Sequence, residues 1–396
     1  MLVTILTSLK DFFVEFMQPE SRIFLAFIAA QLLSAYSIPI IVRISKAKSL
    51  TSAPNFRTSH TQDIPTMGGL ALFATILVVS LSTINISGFS FLHESTVMPA
   101  LPSIIAGVTI LFFIGMKDDL LGISWKKKLT GQIMAMLVLC IIGEQRISNM
   151  QGLLGIHEIP YIASLLLTVF VGIALINAFN LIDGIDGLAA AISMIAAFTF
   201  GFNFFISGEK EYAILCAIIV GTMIPYFYYN VWGKKNKLFM GDTGSLILGF
   251  LMTALAIRFN KVFFTPGSAY LSSVAAISIG ILFIPIFDTL RVFTLRILDR
   301  KSPFSPDKRH IHHMLLDLGL SHLKATSYIA AANVLFIILA FTLSGIGKTR
   351  LLILYFGLAM LMVAIPRVML KRRRKPVTLV QPVNNQVVEN NFATGA

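Results

Sequence analysis

Charge is what this chain has least of: 13% of its 396 residues are Asp, Glu, Lys or Arg, against 56% hydrophobic, and the mean hydropathy is +0.81. So few charges cannot clothe that much apolar surface in water, which excludes an ordinary soluble domain and leaves an integral membrane protein. Cysteine is almost missing. Cys140 and Cys216 both fall inside apolar runs without metal-ligand or redox spacing, so they read as packing residues. The opening MLVTILTSLKDFFVEFM lacks a basic start and a small-residue cleavage site, which argues against a secretory leader and for a retained interfacial amphipathic segment over 1–20. Sustained periodicity is absent from 376–396, where Asn, Gln and Val dominate, and a disordered cytoplasmic tail is expected there.

What the chain has instead is apolar length. Windows of roughly 15 to 25 predominantly apolar residues fall near 21–42, 67–86, 101–116, 129–143, 160–179, 187–207, 212–229, 244–259, 271–295, 325–345 and 350–370. The expected fold is all-α: a polytopic membrane protein of about 11 transmembrane helices, forming one helical domain over 1–375. Pro39, Pro225 and Pro285 lie inside windows and are candidate kinks. The net charge of +13 is unevenly placed. The segments 43–66, 117–128, 230–243 and 291–324, with the tail from 367, hold 24 of the 32 Lys and Arg. By the positive-inside rule these loops and the C-terminus are cytoplasmic and the N-terminus is outside. Nucleic acid is not an expected partner; anionic lipid and an anionic substrate are.

Five inner-face segments carry polar groups that a membrane protein does not place idly. FRTSHTQDIPTMGG (56–69) sets Arg57 and His60 before a helix start, whose free N–H groups suit an anion; a turn with close helix packing is the alternative. GMKDDLLGISWKKK (115–128) pairs Asp118 with Asp119, adjacent carboxylates that call for a cation or a proton, and brings Lys127 nearby. In NAFNLIDGIDGLAAAI (177–192), Asn177, Asn180 and Asp183 recur every three residues and share a helix face, while Asp186 serves either a ligand or as cap of the next helix. YNVWGKKNKLFMGDTGSL (229–246) opens a helix at Asp242, again a metal ligand or a cap, with Phe239 as an interfacial anchor or a surface for a base. RKSPFSPDKRHIHHMLLDLGLSH (300–322) crowds Arg309, His310, His312 and His313, donors matched to phosphate oxygens; zinc is the lesser reading without cysteines nearby. Carboxylates able to hold a divalent ion, facing cations able to hold phosphates, point to phosphoryl transfer at a membrane surface.

Together, PTMGG, KDD, NAFNLIDGIDGLA, FMGDTGSL and DKRHIHHMLLDLG, in that order over about residues 40–325, resemble the polyprenyl-phosphate N-acetylhexosamine-1-phosphate transferase superfamily. The resemblance implies transfer of a sugar 1-phosphate from a UDP-N-acetylhexosamine to undecaprenyl phosphate at the cytoplasmic face of a bacterial inner membrane. It implies Mg²⁺, with Mn²⁺ as substitute. It makes Asp118 base or nucleophile with Asp119 beside it, and Asp242 the principal metal ligand. Asp183 and Asn180 then line the diphosphate and metal region, Asp186 and Phe239 hold uracil, and the three histidines sit on phosphate or sugar. Asn230 falls near a family asparagine. The His-Ile-His-His order resembles the N-acetylglucosamine branch, which starts O-antigen, common-antigen or teichoic-acid synthesis, rather than the muramoyl-pentapeptide branch. A homodimer is a further expectation, and an anion transporter is the rival of another class.

Overall fold

Most helices here are apolar on every side, as expected where lipid rather than water surrounds the bundle. The computed structural model describes residues 19–52, 64–83, 100–153, 155–264, 273–302 and 309–373. In chain order the elements are α1 (Pro19–Ala47), the short pair β1 (Thr51–Ser52) and β2 (Ile64–Pro65), α2 (Gly68–Thr83), α3 (Ala100–Leu121) and α4 (Trp125–Leu137), which continues as a π-helical turn over Val138–Ile142. The hairpin β3 (Asn149–Leu153) and β4 (Ile156–Glu158) follows, then α5 (Tyr161–Ile182), α6 (Leu188–Ile206), α7 (Lys210–Trp232) and α8 (Gly241–Phe264). The chain finishes with α9 (Val274–Ile281), α10 (Phe283–Leu298), the short α11 (Ile311–Asp317), α12 (His322–Thr342) and α13 (Lys348–Arg373).

Every apolar window meets a helix or helix pair, but not all are equally able to span. Among the described residues eight helices are long and apolar enough to cross a membrane, or nine with α9 and α10 as one broken span. The windows at 67–86 and 129–143 meet α2, with 16 residues, and α4, whose first turn carries three lysines. The count of eleven is therefore approximate. The segment before Pro19 and the tail 376–396 lie outside the described residues.

Helix α8 is the axis, with 89% of its apolar window buried among α2, α3, α5 and α6. Small residues permit that crowding: a Cβ on Gly69 of α2 would fall 2.4 Å from the Gly244 nitrogen, so the two helices meet backbone to backbone. Backbone bonds bind the same crossing, Gly68 N donating to Phe239 O (2.9 Å), Gly69 N to Met240 O (2.8 Å) and Phe239 N to Pro65 O (2.8 Å). At the opposite end Arg258 donates to both carboxylate oxygens of Glu209 at 2.7 Å and lies 5.0 Å from the Tyr212 ring.

The sharpest departure from a simple span is the 79° bend between α9 and α10. Pro285, in the first turn of α10, has no N–H to give the carbonyl four residues back, that of Ile281. The buried Asn333 of α12 supplies the missing donor at 3.2 Å. Of the other candidate prolines, Pro39 and Pro225 sit inside continuous helices.

Candidate active site

The ends of α2, α3, α5, α8 and α11 meet at a cavity of about 390 Å³ lined by Thr66, Asp119, Asn180, Asp183, Asp186, Asn230, Phe239, Asp242, Ser245 and His313. The two carboxylates of the Asp118–Asp119 pair do different work. Asp119 accepts from Asp242 N (2.7 Å), Thr243 N (3.0 Å) and Thr243 Oγ1 (2.5 Å), so it caps the free N–H groups that open α8. That cap sets the position of Asp242. Asp118 accepts from Ile123 N at 2.8 Å and pairs with Lys128 Nζ at 3.1 Å. The same ammonium lies 2.8 Å from Asp242 Oδ1, which also accepts from Asn180 Nδ2. One lysine thus bridges the carboxylates of two helices.

That lysine is Lys128, not Lys127. Lys127 is exposed, because a one-residue step on a helix turns the side chain by about 100°. The α5 seam also parts company with the expected shared face, since a three-residue step falls short of the 3.6-residue turn. Asn180 reaches Asp242 and Ser245 (2.9 Å to Oγ), and Asp183 lines the cavity. Asn177 turns away to Gln132 of α4, donating at 3.1 Å and accepting at 3.3 Å, and clamps two helices outside the cavity.

Asp183 ends α5 where burial pushes its carboxyl well above the usual range, reinforced by the charges of Asp242, Asp119 and Asp186. Asp186 is different. Burial would raise its carboxyl too, but His322 and Lys237 outweigh it and hold the group below its ordinary value; Oδ2 lies 2.7 Å from Lys237 Nζ and 3.2 Å from His322 Nδ1. Asp186 does not cap α6, whose N-cap is Gly187 in the left-handed region. Its other oxygen, Oδ1, is buried without a partner among the described residues. Asn230 uses both ends of its amide on backbone, accepting from Gly187 N (2.6 Å) and donating to Leu238 O (2.8 Å), so it ties the two cavity loops together.

The three histidines form a graded series. His313 lines the cavity; His312 is 2% exposed and lies so close to Gly184 that a Cβ there would fall 2.3 Å from its Nε2. Burial, then His313, lowers His312 to about 3, so the ring is neutral at physiological pH. His310 is buried behind them, paired with Asp288. Arg309 pairs with Asp299 at 2.6 Å and is not among the cavity-lining side chains. Arg57 and His60 lie outside the described residues. Lys128, Lys237, His322 and Asp288 were not singled out from sequence: three lysines in a row look alike there, and contacts between residues 22, 51 and 136 apart leave no local trace.

Residues 101–260 match the model of glycosyl transferase family 4. The chain is 32% identical over 299 residues to the undecaprenyl-phosphate alpha-N-acetylglucosaminyl 1-phosphate transferase of Escherichia coli K12, covering 74% of this chain and 76% of that one. It is 31% identical over 360 residues to a probable undecaprenyl-phosphate N-acetylglucosaminyl 1-phosphate transferase of Bacillus subtilis, covering 90% and 95%. The chain belongs to the polyprenyl-phosphate N-acetylhexosamine-1-phosphate transferase superfamily. As a member it is a multi-pass membrane protein, and the cavity carries the superfamily's KDD, NLIDGIDG and FMGD motifs on three adjoining helix ends.

A metal fit is a matter of donor chemistry. Among the described residues no three His, Cys, Asp or Glu side chains stand close enough to enclose an ion alone. Mg²⁺ does not require that, since it keeps waters and takes one or two carboxylates together with substrate phosphates. Asp183 and Asp242 provide two carboxylates at one cavity, where the charge of Asp242 adds to the burial that raises Asp183. The residues fit the ion.

Proposed function

We propose that this chain transfers N-acetylglucosamine 1-phosphate from UDP-N-acetylglucosamine to undecaprenyl phosphate, releasing UMP, in the cytoplasmic membrane of a bacterium with the cavity facing the cytoplasm. The observation that carries the reading is the meeting of Asn180, Asp183 and Asp242 at one cavity, with Lys128 joining Asp242 to Asp118 beside it, in a chain similar to enzymes named undecaprenyl-phosphate N-acetylglucosaminyl 1-phosphate transferases. The distribution of Lys and Arg supports the orientation.

A second, larger crevice of about 860 Å³ runs between α5, α8, α9, α10 and α13, lined by Phe170, Ala174, Ala178, Ile257, Leu282, Ile286 and Leu290 among others. Its apolar wall suits a polyprenyl chain, whose phosphate would reach the cavity where α5 ends. Asp118 takes the acceptor phosphate's proton; an oxygen of that phosphate attacks the sugar-linked phosphorus, the new P–O bond forms, and the bond to the bridging oxygen breaks as UMP leaves. A lipid phosphate is already a competent nucleophile once aligned, so a single displacement suffices. Lys128, between Asp118 and Asp242, would offset charge at the diphosphate. Asp186 and Phe239, both on the cavity wall, would take the uracil N–H and ring. Asp242 and Asp183 would hold Mg²⁺, which would supply charge neutralisation at the diphosphate.

Purified protein given labelled UDP-N-acetylglucosamine, undecaprenyl phosphate and Mg²⁺ should yield a lipid diphosphate-linked sugar and UMP. A donor panel including the muramoyl-pentapeptide nucleotide should favour N-acetylglucosamine; preference for another donor overturns the sugar assignment, and solute movement without lipid-linked product overturns the enzyme. Asp242→Asn should lower turnover by about 10²–10³, the usual loss for a group that stabilises transition-state charge. Near-normal rates at ordinary Mg²⁺ would remove Asp242 from that role.

A further inference from the structure

The bend after α9 delivers one buried carboxylate, that of Asp288 in α10, to the loop that carries the histidines. Asp288 is 4% exposed. Its Oδ1 accepts from Arg291 Nη2 at 2.8 Å and from Ile311 N at 3.1 Å, and its Oδ2 lies 2.9 Å from His310 Nδ1. Arg291 Nη2 also donates to the Arg309 carbonyl. Three consecutive residues are therefore gripped from one helix: Arg309 by its carbonyl, His310 by its ring and Ile311 by its N–H.

The grip has a chemical result beyond holding the loop. A carboxylate paired with a guanidinium offers acceptors only, so His310 Nδ1 carries a proton whether the ring is neutral or charged. Any proton or hydrogen bond the ring exchanges must pass through Nε2. That atom is buried and has no partner among the described residues, in a ring 4% exposed. From it the series runs toward the cavity: the His310 and His312 rings are nearly parallel, 10° apart in plane with centroids 5.6 Å apart, and His313, which lines the cavity, is 4.3 Å from His312.

We propose that Asp288 is a positioning residue of the transfer reaction: it holds His310 by Nδ1, and the ring so fixed backs His312 and His313, of which His313 lines the cavity that takes the sugar nucleotide. This rests on the transferase reading above. Lying 22 residues before His310 with membrane helix between, Asp288 acts through the histidine and has no contact with the reacting atoms.

The test uses the full-length protein in lipid nanodiscs. Asp288→Asn keeps size and shape but puts an amide N–H against Nδ1, which favours the opposite tautomer. It should lower kcat/KM for UDP-N-acetylglucosamine by about 10–100-fold, the usual loss when an orienting partner is removed. His310→Ala should lower the same parameter, and the double variant should be no worse than the poorer single one, because one interaction is removed twice. Multiplicative losses in the double variant would show that Asp288 acts independently of His310 and would overturn the proposal. Should Asp288→Asn fail to fold, ¹⁵N-histidine spectra of the wild type decide: the His310 signal, assigned by its loss in His310→Ala, should show a protonated Nδ1, and a ring protonated at Nε2 alone overturns the proposal. Wild-type protein that makes no lipid-linked sugar would reject the transferase reading, whereas an active wild type with an unimpaired Asp288→Asn rejects this inference alone.

Discussion

At the scale of single residues, burial acts on Asp183 and His312 with opposite consequences for pH. Asp183 is raised in the folded protein, so above the ordinary carboxylate value the folded state holds a proton that the unfolded chain has lost, and stability falls as pH rises toward the folded value. Asp183→Asn should therefore melt higher than wild type near neutral pH in EDTA while losing activity, the mark of a group kept for function at the expense of stability. His312 is lowered from 6.5 to about 3. Its contribution is present above 6.5 and is lost as pH falls from there toward 3, because the unfolded chain takes up a proton that the folded ring refuses. The melting temperature of the wild type should fall between pH 7 and pH 5, and His312→Asn should flatten that fall. Asp118, Asp183, Asn180 and Asp242, which the fold brings near one another, stand out in the sequence as polar groups at the ends of apolar runs. Lys128 could not be told from Lys127, and Asn177 meets Gln132 rather than the cavity because a spacing of three drifts around a helix.

Elements were legible where a long apolar run determined them. The windows predicted helices because lipid leaves the backbone no other partner than itself. The break between α9 and α10 was hidden, since 271–295 reads as one run and Pro285 looked like an ordinary kink. What makes the break tolerable is on another helix: Asn333, entirely buried, donating to Ile281 O. Asn333→Leu removes the donor and leaves a buried carbonyl unpaired, a loss of about 1–3 kcal/mol. Thermal or denaturant unfolding in detergent should show it, and because the bend carries Asp288 to the histidine loop, activity should fall with it. An unchanged melting curve would mean that another donor reaches Ile281 O. The β3–β4 hairpin went unseen because its five- and three-residue strands are too short for alternation to register against flanking apolar runs.

Across the whole molecule, polarity is sorted by end. One end gathers the carboxylate and histidine cavity, the other the Glu209–Arg258 pair and the hairpin, and α8 joins them through the most buried stretch of the bundle. The charge asymmetry in the sequence showed that there were two ends; only the packing showed that α8 is central. Asp242 stands on the first turn of that axis, fastened by Asp119 and by the backbone bonds to Gly68 and Gly69. The floor of the cavity therefore has no hinge of its own: it can loosen only when the axial helix does, which is when the entire bundle comes apart. Heating should accordingly extinguish catalysis and cooperative helix loss along one superimposed curve, as circular dichroism and residual activity recorded on the same sample would reveal, with no cooler phase in which a still helical protein has gone silent.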